Sequence, residues 1–142
     1  MSRHPYLNHE GPVAFAHRGG NLEAPENTLA AFEHAVSLGY RYLETDVHCS
    51  ADGVLVAFHD ADLQRTCDIN ANIADLRWAE IAELRVNDVE PIPRMIDLLD
   101  RWPDQRFNID CKSDQAVGPL IELVEQRDII AQICVGSFSL RR

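Results

Sequence analysis

The sequence has no closely spaced pair of cysteines, because its four cysteines are far apart and no CxxC pattern occurs. Zinc ribbons and thioredoxin-like redox sites are built on such pairs, so neither kind of site is supported. We expect the cysteines to be small buried hydrophobic residues or free thiols. They are Cys49, Cys67, Cys111 and Cys134.

Positive charge is also scarce: 13 Lys and Arg residues stand against 23 Asp and Glu residues, for a net charge of −10. Polyanions repel such a chain, so a nucleic-acid partner is not expected. No apolar run approaches the roughly 20 residues that cross a bilayer. Residues 1–12 lack the apolar core of a signal peptide. We therefore expect a cytoplasmic protein without an integral membrane segment.

No repeat, low-complexity block or flexible linker divides the 142 residues, a length typical of one domain. We expect a short tail over residues 1–12 and one domain over residues 13–142. Alternating strands and helices predict an α/β fold with a largely parallel sheet, either open or closed into an eight-stranded barrel. The predicted strands are 13–16, 41–48, 54–59, 107–112 and 133–137, and the predicted helices are 25–38, 77–84, 93–102 and 116–126.

The connection between the second and third predicted strands has only about six residues. A parallel connection normally needs a dozen or more. Six extended residues nevertheless reach about 20 Å, roughly the length of a strand, so a return without a helix is possible. The third strand can therefore run parallel or antiparallel to the second.

Ionisable side chains follow four of the predicted strands at their carboxyl ends, which is where ligands bind in parallel sheets and barrels. Because this pattern repeats at one end of the strands, it predicts an active site. The residues are His17 and Arg18, then Glu44, Asp46 and His48, then His59 and Asp60, and finally Asp110 and Lys112.

Glu44 and Asp46 are two residues apart on a strand, so their side chains face the same side. Two ionised carboxylates repel each other unless one is protonated or a cation bridges them. Carboxylates and waters form a site that suits Mg²⁺ or Ca²⁺, and Asp110 can supply a third ligand. The alternative is that both carboxylates lie on the solvated face of an edge strand.

Two histidines at strand ends beside carboxylates suggest a general acid and a general base, and we assign these roles to His17 and His59. His48 lies further into the turn and is interpreted as a surface or supporting group. Arg18, next to two glycines, suits a phosphate, with a surface charge as the alternative. Lys112 is either a phosphate contact or a buried partner of the carboxylates.

Short motifs follow one another along almost the whole chain, and in order and spacing they resemble those of the glycerophosphodiester phosphodiesterase family. The motifs are His17-Arg18-Gly19, Pro25-Glu26-Asn27-Thr28, Glu44-Thr45-Asp46-Val47, Asp52-Gly53, His59-Asp60 with Leu63, Arg65 and Thr66, Ile92-Pro93, Asn108-Ile109-Asp110-Cys111-Lys112, and Ser137-Phe138.

The resemblance implies a (β/α)₈ TIM barrel, of which this chain supplies an N-terminal portion with about five strands. It implies hydrolysis of small glycerophosphodiesters to glycerol 3-phosphate and an alcohol, with a divalent cation, Mg²⁺ or Ca²⁺. The implied roles are acid and base for His17 and His59, metal ligation for Glu44, Asp46 and Asp110, and phosphate binding for Arg18 and Lys112. The chain departs from the family pattern at Asp110, usually Glu, and at Cys67, usually Thr.

A (β/α)₈ barrel typically needs about 250 residues, so we expect the domain to be incomplete at its carboxyl end. Open barrel edges favour association, and from the 142 residues alone we expect oligomers, swapped assembly or poor solubility, with weak or no activity. The alternative function is a catalytically incompetent barrel fragment that acts as a metal-binding or interaction module. A phospholipase D-like lyase of the same superfamily shares these residues, but the acidic charge and the expected lack of a signal argue against it.

Overall fold

The computed structural model describes residues 4–142. A five-stranded sheet lies at its centre, a two-stranded hairpin lies beside it, and five α-helices follow or connect the strands. The strands are β1 (Phe15–Ala16), β2 (Tyr42–Cys49), β3 (Leu55–Ala57), β4 (Arg85–Val86), β5 (Glu90–Pro91), β6 (Arg106–Cys111) and β7 (Ile133–Gly136). The helices are α1 (Leu29–Ser37), α2 (Gln64–Cys67), α3 (Trp78–Ile81), α4 (Met95–Arg101) and α5 (Val117–Arg127).

Four of the central strands are parallel and stand in the order β1-β2-β6-β7. Strand β3 runs antiparallel to β2 and pairs with its last three residues, so the short connection forms a hairpin. The turn is closed by Ser50, whose hydroxyl donates to Asp52 and accepts from the Val54 N–H. The direction of the third strand, which the sequence left open, is thus antiparallel.

Strands β1 and β3 share one edge of β2. Tyr42 pairs with β1 and with β6, so these two strands lie on opposite edges of β2. Val47 pairs with β3 and with β6, which places β3 on the same edge as β1. Strand β3 therefore runs back along β2 towards the end of β1 and brings the residues after it to that end.

The core lies between the central sheet and helices α1, α4 and α5, and a second apolar cluster lies under β3. Phe32 of α1, Leu98 of α4 and Phe107 of β6 are completely buried. Burying one such side chain contributes about 1.5–3 kcal/mol to folding. This packing fixes the positions of strands β2 and β6, which carry the side chains at their carboxyl ends.

Helix α1 begins later than residue 25, because Thr28 is its N-cap and accepts a hydrogen bond from the Ala31 N–H. The side chain of Asn27, the residue before this cap, is engaged elsewhere. The predicted helix 77–84 is α-helical only over Trp78–Ile81, since the chain then turns into the hairpin of β4 and β5. The sequence did not predict this hairpin or α2.

Part of the segment expected to be a tail is packed against the sheet. Residues Pro5–Leu7 form a 3₁₀ turn, and Tyr6 is buried. The Tyr42 hydroxyl donates to the Tyr6 carbonyl at 2.6 Å, and Arg106 donates to the Asn8 carbonyl at 3.0 Å. These contacts lie at the amino end of β2 and β6, opposite the predicted active site.

Two expectations from composition can be compared with the structure. All four cysteines are free thiols, and Cys49 and Cys111 are buried, as expected. Within residues 4–142, no helix is both long enough and apolar enough to cross a membrane.

Candidate active site

One cavity of about 540 Å³ opens at the carboxyl ends of β1, β2 and β6. The hydrogen bond from the Phe58 N–H to the Asp46 carbonyl, 3.0 Å long, holds the end of β3 against β2 beside this cavity. The structure therefore brings together side chains from four strand ends. All seven predicted site residues line the cavity: His17, Arg18, Glu44, Asp46, His59, Asp110 and Lys112.

The turn after β1 presents Arg18 to the carboxylates. Arg18 has a left-handed backbone, with φ of 54°, and its N–H donates to Glu44 Oε2 at 2.9 Å. Gly19, with φ of 73°, lies against α1 so closely that a Cβ atom would stand 2.9 Å from the Phe32 nitrogen. Glycine is required here because the turn is packed against the helix.

The guanidinium of Arg18 is held by two carboxylates. Its Nη1 donates to Glu26 Oε1 at 3.1 Å, and its Nε lies 3.4 Å from Asp46 Oδ2. The side chain is mostly buried. The interpretation of Arg18 as a surface charge is therefore wrong.

Asn27 supports the site and is not among the predicted site residues. It is buried, its Nδ2 donates to Asp46 Oδ2 at 3.0 Å, and its Oδ1 accepts from Thr45 Oγ1 at 2.8 Å. Its N–H donates to the Arg18 carbonyl at 2.8 Å. Asn27 thus joins the β1 turn to β2 and orients Asp46. Its place in the Pro-Glu-Asn-Thr motif was the available signal.

Lys112 lies between two of the carboxylates. Its Nζ is 2.8 Å from Asp110 Oδ2 and 3.2 Å from Asp46 Oδ1, on residues paired across β2 and β6. Burial alone would lower the pKa of Lys112, but the bonds to Asp110 and Asp46 outweigh it and raise the pKa. Lys112 is thus a mostly buried partner of the carboxylates that still lines the cavity, and phosphate binding by Lys112 stays a prediction.

The environment of Glu44 disfavours its charged form. Burial raises its pKa, and the negative charge of Asp46 adds to that increase. The hydrogen bond from the Arg18 N–H opposes the increase without cancelling it. Burial is the main cause, and the contribution from Asp46 is the like-charge repulsion expected for two carboxylates on one face of a strand.

The chemistry of the three carboxylates fits a hard divalent cation, since all donors are oxygens. Asp110 Oδ1 is buried and has no hydrogen-bond partner among the described residues, so it can accept a further ligand. The arrangement itself is not yet a metal site: within residues 4–142, no three His, Cys, Asp or Glu side chains are grouped closely enough to hold an ion. Metal ligation by Glu44, Asp46 and Asp110 stays a prediction.

His59 is anchored by its neighbour in the chain. Its Nδ1 is 2.6 Å from Asp60 Oδ1, and Asp60 Oδ2 accepts from Arg65 Nε at 2.6 Å. The hydrogen bond from Arg65 lowers the pKa of Asp60 to about 2, so this carboxylate is ionised and can only accept. Nδ1 of His59 therefore carries a proton, and Nε2 is the nitrogen available for proton transfer.

His48 and His17 differ sharply in environment. His48 is buried, and its Nε2 lies 3.0 Å from the His59 carbonyl oxygen. Burial lowers the pKa of His48, so the ring is neutral and donates to that carbonyl. Of the two interpretations of His48, the surface group is wrong and the supporting group is correct. The His17 side chain is 70% exposed, with Nε2 3.9 Å from Glu44 Oε2.

The fold and the site define an α/β protein in which histidine, carboxylate and cationic side chains line one cavity at the carboxyl ends of parallel strands. Residues 17–133 match the glycerophosphoryl diester phosphodiesterase family, and the chain belongs to this family. The family predicted from the motifs is confirmed.

Curated relatives agree with this assignment. The chain is 37% identical over 138 residues to "Probable glycerophosphodiester phosphodiesterase 2" of Mycobacterium tuberculosis, covering 96% of this chain and 52% of the relative. It is 34% identical over 126 residues to "Lysophospholipase D GDPD1" of Rattus norvegicus, covering 78% of this chain and 40% of the relative. The chain thus spans about half the length of these relatives, or less.

A solved structure supports the fold. The glycerophosphodiester phosphodiesterase from Agrobacterium tumefaciens superposes with a TM-score of 0.85 at 29% identity, covering 92% of this chain and 60% of that chain. The predicted fold class is confirmed: the five-stranded, mainly parallel sheet corresponds to part of a (β/α)₈ barrel of this family.

Proposed function

We propose that this chain carries the catalytic residues for hydrolysis of small glycerophosphodiesters to glycerol 3-phosphate and an alcohol. The observation that carries the proposal is the convergence of all seven predicted residues on one cavity, in a chain of this family. The phosphodiester carries negative charge, and the cavity offers two cations, Arg18 and Lys112, to receive it.

Hydrolysis divides between the two histidines in this proposal. His17 removes a proton from the nucleophile, a water or a neighbouring glycerol hydroxyl, as its oxygen bonds to phosphorus. His59 donates a proton to the alkoxide as its bond to phosphorus breaks, so that the alcohol leaves neutral. The ionised Asp60 supports this order, because it gives a protonated His59 a negative partner 2.6 Å away. If a glycerol hydroxyl attacks first, water then opens the cyclic phosphate with the roles reversed.

Glu44, Asp46 and Asp110 are the residues that would hold Mg²⁺ or Ca²⁺. When bound, such a cation neutralises charge that develops on the phosphoryl oxygens. Asn27 would keep Asp46 oriented, through the same hydrogen bond that it makes in this structure.

The experiment measures release of glycerol 3-phosphate from glycerophosphocholine by the chain at high concentration, with Mg²⁺, with Ca²⁺ and with chelator. We expect release that needs the cation and is lost in His17→Ala and His59→Ala. Cation binding with no release would contradict the proposal and favour the non-catalytic module. Release that is insensitive to chelator would show that the reaction does not need a metal ion. A lysophospholipid, tested in parallel, compares the activity named for the rat relative.

Association through the open edges is a separate proposal. Among the described residues, β7 pairs only with β6, and β1 pairs only with β2. Edge strands expose unpaired N–H and C=O groups, which favours pairing with a second chain. Sedimentation over a range of concentrations tests this, and a monomer at every concentration would contradict it.

A further inference from the structure

Arg65 lies outside the predicted set of site residues, yet it joins two acidic residues that contact that set. It belongs to α2, and its guanidinium donates through Nε to Asp60 Oδ2 at 2.6 Å. Through Nη2 it donates to Glu26 Oε1 at 2.6 Å, and through Nη1 to Glu26 Oε2 at 3.3 Å. One planar group thus connects the segment before α1 with the segment after β3.

Each of these two carboxylates also contacts a predicted site residue. Asp60 holds Nδ1 of His59 at 2.6 Å, and Glu26 accepts from Nη1 of Arg18 at 3.1 Å. The continuous chain of contacts runs His59, Asp60, Arg65, Glu26, Arg18. It therefore couples the proposed acid to a proposed phosphate-binding cation.

The charges along this chain alternate, which explains why it is stable at a partly exposed position. Burial would raise the pKa of Glu26, but the hydrogen bonds from Arg65 and the charge of Arg18 outweigh it and lower the pKa. The two carboxylates are therefore both ionised, and Arg65 is the cation that they share. A bidentate contact and a second contact from one guanidinium need the fixed fork of arginine, which lysine lacks.

We infer that Arg65 is a positioning residue, which holds His59 in one tautomer through Asp60 and limits the pull of Glu26 on Arg18. This inference rests on the proposed function for its kinetic consequence, although the hydrogen-bond arrangement can be tested without turnover. Without Arg65, Asp60 loses its strongest partner and can rotate away from Nδ1. Glu26, left with Arg18 alone, then competes more strongly with substrate phosphate for that guanidinium.

The test compares Arg65→Gln and Arg65→Lys with the parent chain. The first readout is the ¹⁵N chemical shifts of the His59 ring, which report the tautomer and need no activity. We expect the parent to hold the proton on Nδ1, Arg65→Gln to show a mixture of tautomers, and Arg65→Lys to lie between them. The matched control is Arg101→Gln, which removes an exposed arginine paired with Glu33 on another helix.

The second readout is the kinetics of glycerophosphodiester hydrolysis. Loss of a supporting contact typically costs about 10- to 100-fold in activity. For Arg65→Gln we expect kcat to fall within that range and KM to rise, with partial rescue in Arg65→Lys and parental values in Arg101→Gln. A merely structural role would lower the melting temperature without changing the tautomer.

Parental His59 shifts in folded Arg65→Gln would overturn the inference, as would equal loss in Arg65→Lys and Arg65→Gln. If the parent itself releases no glycerol 3-phosphate, the proposed function fails, while the tautomer comparison still decides the role of Arg65. If Arg65→Gln does not fold, the shifts and the KM of Arg65→Lys decide it, and parental values there would overturn it.

Discussion

The two histidines of the cavity are held in very different ways. The His59 side chain is 29% exposed, bonds to Asp60 at 2.6 Å, and has its carbonyl oxygen held by His48. The His17 side chain is 70% exposed, with its ring nitrogen 3.9 Å from Glu44. His59 is thus preorganised by side chains, whereas the position of His17 depends on the backbone turn that it begins.

This difference bears on the proposed roles of the two histidines as base and acid. A general acid must carry a second ring proton, on Nε2, and the ionised Asp60 beside Nδ1 stabilises that positive ring, which favours the proposed acid role for His59. A base that accepts a proton from an incoming nucleophile can be more exposed, as His17 is. On the β3 side of the cavity, a network of side chains positions His59. On the β1 side, a tight backbone turn positions His17.

The largest expected effect separates proton transfer from cation binding. His17→Ala and His59→Ala should each lower kcat/KM by about 10²- to 10⁴-fold, because each removes one positioned acid or base. Cation affinity, measured by isothermal titration, should stay near the parental value in both. Near-parental turnover in either variant would remove that histidine from the mechanism.

The next prediction concerns the three carboxylates of the cavity. Glu44→Gln and Asp110→Asn should each weaken Mg²⁺ or Ca²⁺ binding by at least about tenfold, since each removes a charged oxygen ligand. Titration calorimetry measures this, with Glu33→Gln on the exposed face of α1 as the control. Parental affinity in both site variants would show that the metal site is wrong.

The β1 side can be disturbed through the glycine turn. Gly19→Ala should lower the free energy of unfolding by about 2–4 kcal/mol, from backbone strain at positive φ and from the clash with α1. Gly20→Ala, with φ of 98° and nothing within 4 Å of the new Cβ, carries the strain without the clash. Denaturant unfolding should therefore show a smaller loss for Gly20→Ala, and equal losses would contradict the packing argument.

The smallest effect is on stability in acid, and it belongs to the β3 side. The pKa of Asp60 is lowered from its ordinary value of 3.8 to about 2, so its contribution is present above pH 4 and is lost as pH falls towards 2. At about 1.4 kcal/mol per pKa unit, this loss is at most about 2.5 kcal/mol. Unfolding from pH 5 to pH 2 should show a steeper loss in the parent than in Arg65→Gln. Identical profiles would mean that Arg65 does not lower the pKa of Asp60.

The sequence by itself predicted the fold class and the members of the site. Apolar runs that end in ionisable residues have a local pattern, and the alternation of strands and helices places the carboxyl ends of β1, β2 and β6 at one end of the sheet. The period of two along a strand predicted that Glu44 and Asp46 share a face, and both line the cavity. The (β/α)₈ assignment and the individual roles came from the family motifs.

The tertiary structure alone decided the direction of β3 and the partners inside the cavity. The turn after β2 was compatible with two directions, and pairing with the β1 edge of β2 selected one. Asn27 reaches Asp46 across 19 residues of sequence, and Arg65 reaches Glu26 across 39. Such contacts follow from packing and charge balance between distant segments, which leave no periodic signal in either segment. Local patterns in the sequence thus predict which residues line the cavity. Their hydrogen-bond network forms only when distant segments pack together.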